Sequence, residues 1–395
     1  MEKTTVLITG CSSGIGLGLA ARLAADTARR FKVYATMRDL AKGERLLERL
    51  GGCCPDTLEV LQLDVTDPCS LAAAAQRVQG QRLDVLGTAL PGAPTIPRVA
   101  GGTSLGLPAL PRALGADAKS WEVPAVLGLG WDVFSRAGVQ ELGLGVPRVT
   151  GPSIGKDPHV LVFWHLDGAR ECEGGSGASS PALCPAVCNA GVGLMGPLET
   201  CSDQAMKTIF DVNLFGAIRT IQAFLPAMKR RRAGRIIVSS SIGGLQGLPF
   251  NSVYCASKFA VEGLCESLAI VLRPFNIHLT LVECGPVNTS FLANLQRPDP
   301  EGSELQGLDA ETRGLYHRYL RHCQSLFHDA AQEVEEVLQV FVEAIGTPCP
   351  PLRCVTTQLF APLSRLRLAS PDGSAYVRAM HDFVFGRGEA GGDQP

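Results

Sequence analysis

T-V-L-I-T-G-C-S-S-G-I-G, residues 5–16, decides how this chain folds. Residues 5–9 are a short apolar run of the kind that forms a buried strand. The run enters a turn made of Gly10, Ser12, Ser13, Gly14, Ile15 and Gly16, and residues 17–25, rich in Ala and Leu, continue as a helix. A strand, a glycine-rich turn and a helix N-terminus in that order make a cradle for a pyrophosphate. Glycines allow the tight turn and the close backbone approach, while the helix N-terminus offers free N–H groups and the positive end of its dipole. The spacing is G-x-x-x-G-x-G rather than the commoner G-x-G-x-x-G. Its place at the start of a βα unit gives it weight.

Outward from this unit, strand and helix patterns alternate. Residues 6–9, 32–35, 58–63, 235–239 and 278–283 read as buried strands, and residues 16–25, 69–78, 203–230 and 253–272 as helices between them. Such alternation predicts an α/β fold: a doubly wound parallel sheet of the Rossmann kind with helices on both faces, and a ligand across the carboxyl ends of its strands.

Tyr254 and Lys258 are spaced Y-x-x-x-K, with Ser241 thirteen residues upstream. On a helix, residues i and i+4 share a face, which sets the Lys258 ammonium beside the Tyr254 phenol. A neighbouring cation favours the phenolate, so the expectation is a tyrosine acidified toward neutral pH and able to donate a proton. Ser241 closes the strand beginning at Arg235 and is placed to hydrogen-bond the oxygen that Tyr254 protonates. The three residues are machinery for moving a proton on or off a carbonyl or alcohol oxygen. A surface tyrosine beside a solvated lysine is the plainer reading of Y-x-x-x-K alone, and the glycine-rich turn outweighs it.

T-G-x-x-x-G-x-G at 9–16, N-A-G at 189–191, Asn213, Ser241 and Y-x-x-x-K at 254–258 together resemble the short-chain dehydrogenase/reductase family over nearly the whole chain, one central block excepted. Within it, ITGCSSGIGL, VYATMRDL, LQLDV, GLPFNSVYCASKFAVEGLCESLA and VECGPVNT are most similar to the 17β-hydroxysteroid-dehydrogenase branch, with the retinol-dehydrogenase branch next. The resemblance implies an NADP(H)-dependent enzyme reducing a small apolar ketone, a 17-ketosteroid of the estrone type, with a retinoid as the alternative. It also implies roles. Asn213, Ser241, Tyr254 and Lys258 are the catalytic set. Asp64 meets the adenine amino group with Val65 beside it. Asn189, Ala190 and Gly191 border the adenosine ribose, Lys258 holds the nicotinamide ribose, and Val287 and Thr289 hold the nicotinamide amide. Asn213 links Lys258 to solvent through water.

Cofactor choice is read after the second strand. A carboxylate there selects NAD by binding a ribose hydroxyl, whereas this chain has Met37 followed by Arg38. The planar donor fork of arginine suits a 2′-phosphate, and Ser12 adds a hydroxyl. Asp39 is the residue that argues the other way. For the substrate, Leu248, Pro249, Asn251, Phe291, Leu326, Phe327 and Phe360 are expected to line an apolar tunnel with Ser241 and Tyr254 at its reactive end. His322 matches the family histidine near the phenolic end of an estrogen; the glutamate sharing that end is replaced by Phe383, with Asp382 one position away.

The 395 residues carry a net charge of −2, so nothing implies a nucleic-acid surface, and the run Lys229-Arg230-Arg231-Arg232 reads as a solvated turn. There is no apolar leader and no run of 18 apolar residues, so no transmembrane segment is expected and a cytosolic enzyme is. The 14 cysteines then read as reduced thiols, without the context of a metal site, and the sequon at Asn288 as unused. Helices 203–230 and 253–272 match those that pair subunits in the family, which implies a homodimer. Residues 288–330 resemble a substrate lid, and the Gly-rich tail, 387–395, reads as disordered.

One block departs from this order. Leu83-Asp84-Val85-Leu86 and Val187-Cys188-Asn189-Ala190-Gly191 read as two halves of one strand, LDVLVCNAG, with 100 residues, 87–186, between them. About 28 of those are Gly or Pro, roughly twice the density elsewhere, and they include all three tryptophans without any sustained period. Insertions enter at loop tips rather than inside a central strand. The block reads as a translated intron: Gly87 allows a GGT codon holding a donor GT, and Ala186-Val187 allows GCA-GTG with an acceptor AG. The catalytic domain is then 1–86 with 187–386. An inactive product with a broken fourth strand is the alternative.

Overall fold

The computed structural model describes residues 3–52, 54–79, 185–289, 295–299, 302–369 and 371–386. All of them belong to one compact unit built from 1–85 and 172–395. Its first part is strand β1 (Thr4–Ile8), helix α1 (Gly14–Ala24), β2 (Phe31–Met37), α2 (Glu44–Arg49), β3 (Leu58–Gln62) and α3 (Pro68–Gln79). Next come β4 (Pro185–Cys188), α4 (Asp203–Phe210), a π-turn (Asp211–Phe215), α5 (Gly216–Arg231), β5 (Gly234–Ser241), α6 (Ser252–Leu272) and β6 (Ile277–Cys284). The last part is α7 (Ser303–Gln306), α8 (Ala310–Ala330), α9 (Val334–Gly346), β7 (Arg353–Val355), α10 (Ala361–Ala369) and α11 (Ser374–Phe385).

Seven strands form one parallel sheet in the order β3-β2-β1-β4-β5-β6-β7, the doubly wound arrangement expected. The order reverses between β1 and β4, and a crevice opens there at the carboxyl ends of the strands. Pleating explains how one run of sequence serves two cores. Val6, Ile8, Val187, Ile237 and Val282 face a cluster that includes Leu19 and Leu23 of α1 and Leu338 and Phe341 of α9. Their neighbours Leu7, Ala186, Ile236, Val238 and Leu281 face Phe224 and Met228 of α5 and Val261 and Cys265 of α6. Alternate side chains of a strand point to opposite faces, so a strand covered on both sides must be apolar at every position. Ile237 is 1% exposed, and truncating it to Ala costs about 2–5 kcal/mol.

The sequence reading departs from the structure in four places. β4 starts at Pro185, inside the block assigned to 87–186: Pro185 pairs with Arg235, and Ala186 with Leu7 and Ile236. The small apolar Ala186 fits the covered face, and proline is tolerated at the first position of a strand. Residues 83–86, the rest of the block up to 184, and the tail 387–395 lie outside the described residues. The helix expected over 203–230 is interrupted by the π-turn that carries Asn213. β7 was not anticipated: it is three partly exposed residues at a sheet edge, too short for a period to show. Lastly, ten described cysteines are free thiols, but exposed Cys349 is disulfide-bonded, against the all-thiol expectation.

Candidate active site

The glycine-rich turn owes its form to two demands. Gly10 and Gly14 have φ of +73° and +60°, which a side chain disfavours. A Cβ on Gly10 would stand 2.9 Å from Ala190 Cα, and one on Gly16 would collide with the Gly10 carbonyl oxygen and the Asn189 amide. Ser13 is the N-cap of α1, extended and without a side-chain cap bond, so the N–H groups of the first turn are open to an anion.

Thr9, to which the sequence reading gave no role, clips this turn to the end of β4. Its Oγ1 accepts from the N–H groups of Asn189 at 2.9 Å and Ala190 at 3.1 Å. The Asn189 amide donates to the carbonyls of Thr9 at 3.1 Å and Gly10 at 3.3 Å. The Asn189 side chain, expected to border a ribose, is thus engaged in holding the turn.

Around the switch point lies a cavity of about 620 Å³. Gly10, Ser12, Ser13, Gly14, Ile15, Arg38, Asp64, Val65, Asn189, Ala190 and Gly191 line it at one set of strand ends. Ser241, Tyr254, Lys258, Val287 and Thr289 line it as well. Leu248, Pro249, Asn251, His322, Leu326, Phe327 and Phe360 complete the expected set. Two candidates are not on its surface. Gly16 serves the close approach of α1 to β1, and Asn213 stands behind the wall. Phe291 lies outside the described residues.

Arg38 is exposed, and its guanidinium makes no hydrogen bond or ion pair among the described residues. Asp39 accepts from the Ala41 N–H at 3.0 Å, capping a short 3₁₀ turn, so its carboxylate is held away from the role of a ribose ligand. Asp64 accepts on Oδ1 from the Thr66 N–H at 2.9 Å and hydroxyl at 2.7 Å. Its Oδ2 has no protein partner among the described residues.

Ser241 ends β5, and its Oγ accepts from the Gly243 N–H at 3.1 Å. It also hydrogen-bonds with the Tyr254 hydroxyl. Tyr254 and Lys258 lie one turn apart on α6, with Lys258 Nζ 5.9 Å from the Tyr254 ring centre and donating to the Ser239 carbonyl at 3.0 Å. The expected acidified tyrosine is not what this geometry gives. Burial pushes the Tyr254 phenol well above its ordinary value, with the Ser241 hydrogen bond acting the other way. Burial likewise lowers Lys258, opposed by Cys284, Glu262 and Cys265. Desolvation is the largest cause for both buried groups.

Asn213 is buried on the π-turn. Its Oδ1 accepts from the Val192 N–H at 2.9 Å, and its Nδ2 donates to the Val192 carbonyl at 3.0 Å and to Ser257 Oγ at 3.1 Å. It thereby ties the segment after Gly191 to the helix of Tyr254 and Lys258.

Between the lining residues Pro249 and Asn251, Phe250 has φ +54° and makes ring contacts to Tyr316 and Tyr319 at 5.1 and 5.5 Å. Asn251 Nδ2 donates to the Pro249 carbonyl at 2.8 Å and to Tyr319 Oη at 2.6 Å. Phe383 meets His322 edge-on at 5.1 Å and Phe360 at 6.2 Å. Asp382 faces His381 at 3.5 Å instead and does not replace a glutamate beside His322. Burial lowers the His322 pKa, so its ring is neutral at neutral pH. Met380 and Val384 of α11 also line the cavity; sequence reasoning missed them because that helix follows an irregular stretch.

A family model described as short chain dehydrogenase matches residues 4–90 and 183–300, passing over 91–182. The chain is 41% identical over 388 residues to 17-beta-hydroxysteroid dehydrogenase type 1 of Homo sapiens, covering 98% of this chain and 87% of that protein. It is 36% identical over 382 residues to retinol dehydrogenase 8 of Bos taurus, covering 96% and 90%. Among solved structures it is similar to a short chain dehydrogenase/reductase from Burkholderia phymatum in complex with NAD, with a TM-score of 0.56, 17% identity, and 93% and 94% of the two chains covered. A short chain dehydrogenase from Burkholderia cenocepacia J2315 in complex with NADP gives a TM-score of 0.52 at 18% identity, covering 95% and 97%. At such identities the structural likeness speaks for the fold.

Proposed function

The chain belongs to the short-chain dehydrogenase/reductase family of oxidoreductases, and from that premise we propose that it is an NADPH-dependent 17-ketosteroid reductase of the estrone-to-estradiol type. One observation carries the reading: Ser241, Tyr254 and Lys258 line the same cavity as the glycine-rich turn, Arg38 and an apolar wall. The open N–H groups of α1 fit a pyrophosphate, and the Arg38 guanidinium, without a partner among the described residues, fits a 2′-phosphate. The dinucleotide supplies hydride when bound. Tyr254 gives its proton to the ketone oxygen, which Ser241 orients by hydrogen bonding. Lys258 steadies the phenolate that forms, and Asn213 ties the segment after Gly191 to the helix of Tyr254 and Lys258. Burial keeps the Tyr254 phenol in its protonated form, the form that donates in the reductive direction.

The steroid reading is favoured over a retinoid by His322. A neutral imidazole in a wall that also carries Asn251, Arg297 and Gln324 among its apolar side chains offers a hydrogen bond to an oxygen remote from the reacting ketone. A retinoid has only hydrocarbon there. The similarity to a 17-beta-hydroxysteroid dehydrogenase supports the same choice, and that to a retinol dehydrogenase keeps all-trans-retinal as the comparison substrate. A homodimer through α4 to α6 is supported by Phe215, Ile270 and Val271, apolar side chains 47%, 70% and 56% exposed on these segments. Among the described residues no helix is long and apolar enough to cross a membrane; we place the enzyme in the cytosol. The catalytic domain, expected as 1–86 with 187–386, is read with Pro185 and Ala186 added because they pair in the sheet, and 87–184 as an insertion.

The deciding experiment is NADPH oxidation by the purified chain with estrone and with all-trans-retinal. Faster turnover of estrone, and loss of the preference in His322→Leu, is the expected result. Preference for retinal overturns the steroid assignment, and no turnover of either favours the inactive-product alternative.

A further inference from the structure

Beside the Tyr254–Lys258 pair lies a polar cluster that the chemistry above leaves without a role. Helix α6 carries Tyr254, Lys258, Glu262 and Glu266 at four-residue intervals, so they form a ladder down one face. Glu262 is 5% exposed. Its Oε1 accepts from Ser240 Oγ at 2.5 Å and its Oε2 from Arg353 Nε at 3.1 Å. Ser240 immediately precedes Ser241 on β5, and Arg353 stands on β7. One carboxylate thus joins the helix of Tyr254 and Lys258 to the strand end of Ser241. The join is tight: a Cβ on Gly244 would stand 3.0 Å from both Glu262 Cγ and Ser240 Oγ.

A carboxylate in such a place is costly unless it is paired and hydrogen-bonded. Arg353 supplies the pairing but is shared: Glu266 Oε2 lies 2.7 Å from it and Glu283 Oε1 3.3 Å. A purely structural tie between α6 and β7 is already made by Glu266 at the surface. What sets Glu262 apart is its position one turn from Lys258 and its bond to the neighbour of Ser241.

We propose that Glu262 is a positioning residue for the reacting groups: through Ser240 it fixes the strand end of Ser241, and it sets a negative charge one helical turn from the Lys258 ammonium. The proposal rests on the Ser241–Tyr254–Lys258 reading given above. The charged and titratable groups around it are Lys258, Cys265 and Glu266 on α6, Glu283 and Cys284 on β6, and Arg353 on β7. Among these, Glu262 acts with Cys284 and Cys265 to favour the Lys258 ammonium against its burial.

The test reads Lys258 directly in the full chain. Trace acetylation with acetic anhydride, followed by mass spectrometry of the Lys258 peptide, gives the pH at which this amine becomes reactive, whether or not the enzyme turns over. Glu262→Gln keeps volume and removes charge; the midpoint is expected to fall by about one pH unit, a tenfold change in the ionisation equilibrium. Glu266→Gln removes the same charge one turn further away and leaves the midpoint within about 0.3 unit. If Glu262→Gln does not fold, Glu262→Met removes the same charge and leaves Arg353 to its other partners Glu266 and Glu283, with the same fall expected. An unmoved midpoint in the folded variant overturns the proposal and leaves Glu262 as packing alone. The pH profile of ketone reduction separates this from the underlying reading. Lys258→Met with parental turnover defeats the catalytic assignment itself. Loss of turnover in Lys258→Met, together with an unmoved midpoint in the Glu262 variant, defeats only the role given to Glu262.

Discussion

Lys258 Nζ rests on the Ser239 carbonyl at 3.0 Å and stands 5.9 Å from the centre of the Tyr254 ring, so the lysine is anchored to β5 while it flanks the tyrosine. The anchor separates two functions that are often run together: holding the lysine in place and tuning the phenol. In this chain burial is the largest influence on the phenol and favours its protonated form.

Tyr254→Phe is therefore expected to remove the transferable proton and little else. Ketone reduction should fall by on the order of 10²–10⁴-fold, with NADPH affinity, read from its fluorescence, nearly unchanged. Turnover within about tenfold of the parent would rule out Tyr254 as the proton donor.

Cofactor preference tests a different end of the cavity. Among the described residues the Arg38 guanidinium has no partner and Asp39 is committed to the Ala41 N–H, so Arg38, with the Ser12 hydroxyl lining the same cavity, is the group proposed to meet a 2′-phosphate. Met37→Asp with Arg38→Ala puts a carboxylate where that phosphate would lie. The ratio of kcat/KM for NADPH over NADH should invert, a change on the order of 10²-fold or more for about 3 kcal/mol of lost charge-assisted bonding and added repulsion. An unchanged ratio sinks the assignment.

The parts of this fold that were legible in the sequence are those whose signal is local. Gly10, Gly14 and Gly16 sit in one turn, and the pairing of Tyr254 with Lys258 follows from helical spacing alone. The parts that were not legible depend on groups far apart in the chain. Thr9 acquires its role only when β1 lies beside β4, bringing it to Asn189, 180 residues away. The phenol of Tyr254 was misjudged because spacing gives the neighbour but not the burial. Met380 and Phe383 reach the cavity from a short C-terminal helix whose pattern says nothing of where it docks.

Glu283 offers a prediction on stability. It is fully buried on β6, neither of its oxygens has a hydrogen-bond partner among the described residues although Arg353 Nε stands 3.3 Å from Oε1, and burial, with Glu262 adding and Arg353 opposing, raises its carboxyl from 4.5 to about 8. The folded chain thus keeps a proton that the unfolded chain releases across that interval. The stabilisation from this group is complete below pH 4.5, declines as pH rises, and is lost through about pH 8. Glu283→Gln holds the neutral shape at every pH. Its melting temperature should match the parent near pH 5 and exceed it by several degrees at pH 8.5, for on the order of 2 kcal/mol. A difference that does not grow with pH refutes the burial argument.

The last prediction concerns the block before β4. Ala186 pairs with Leu7 and Ile236, and Pro185 with Arg235, so the strand already has side chains of acceptable size at those positions. Deleting 87–186 would put Val85 and Leu86 there instead. Proline has no N–H for the sheet, whereas valine donates one, and both incoming residues are apolar on covered faces. The strand would also extend back through Leu83 and Asp84 without interruption. Deleting only 87–184 would instead leave Pro185 in the middle of that longer strand, where proline removes a ladder bond. The order of thermal stability expected is the 87–186 deletion above both the 87–184 deletion and the full chain. Each kcal/mol shifts the melting temperature by about 2–4 °C at this size. NADPH affinity and estrone reduction should follow the same order, because β4 leads directly into Asn189 and Ala190 at the glycine-rich turn. Equal melting temperatures and equal rates for the 87–186 deletion and the full chain would show the block to be harmless where it stands and would remove the functional consequence of the translated-intron reading.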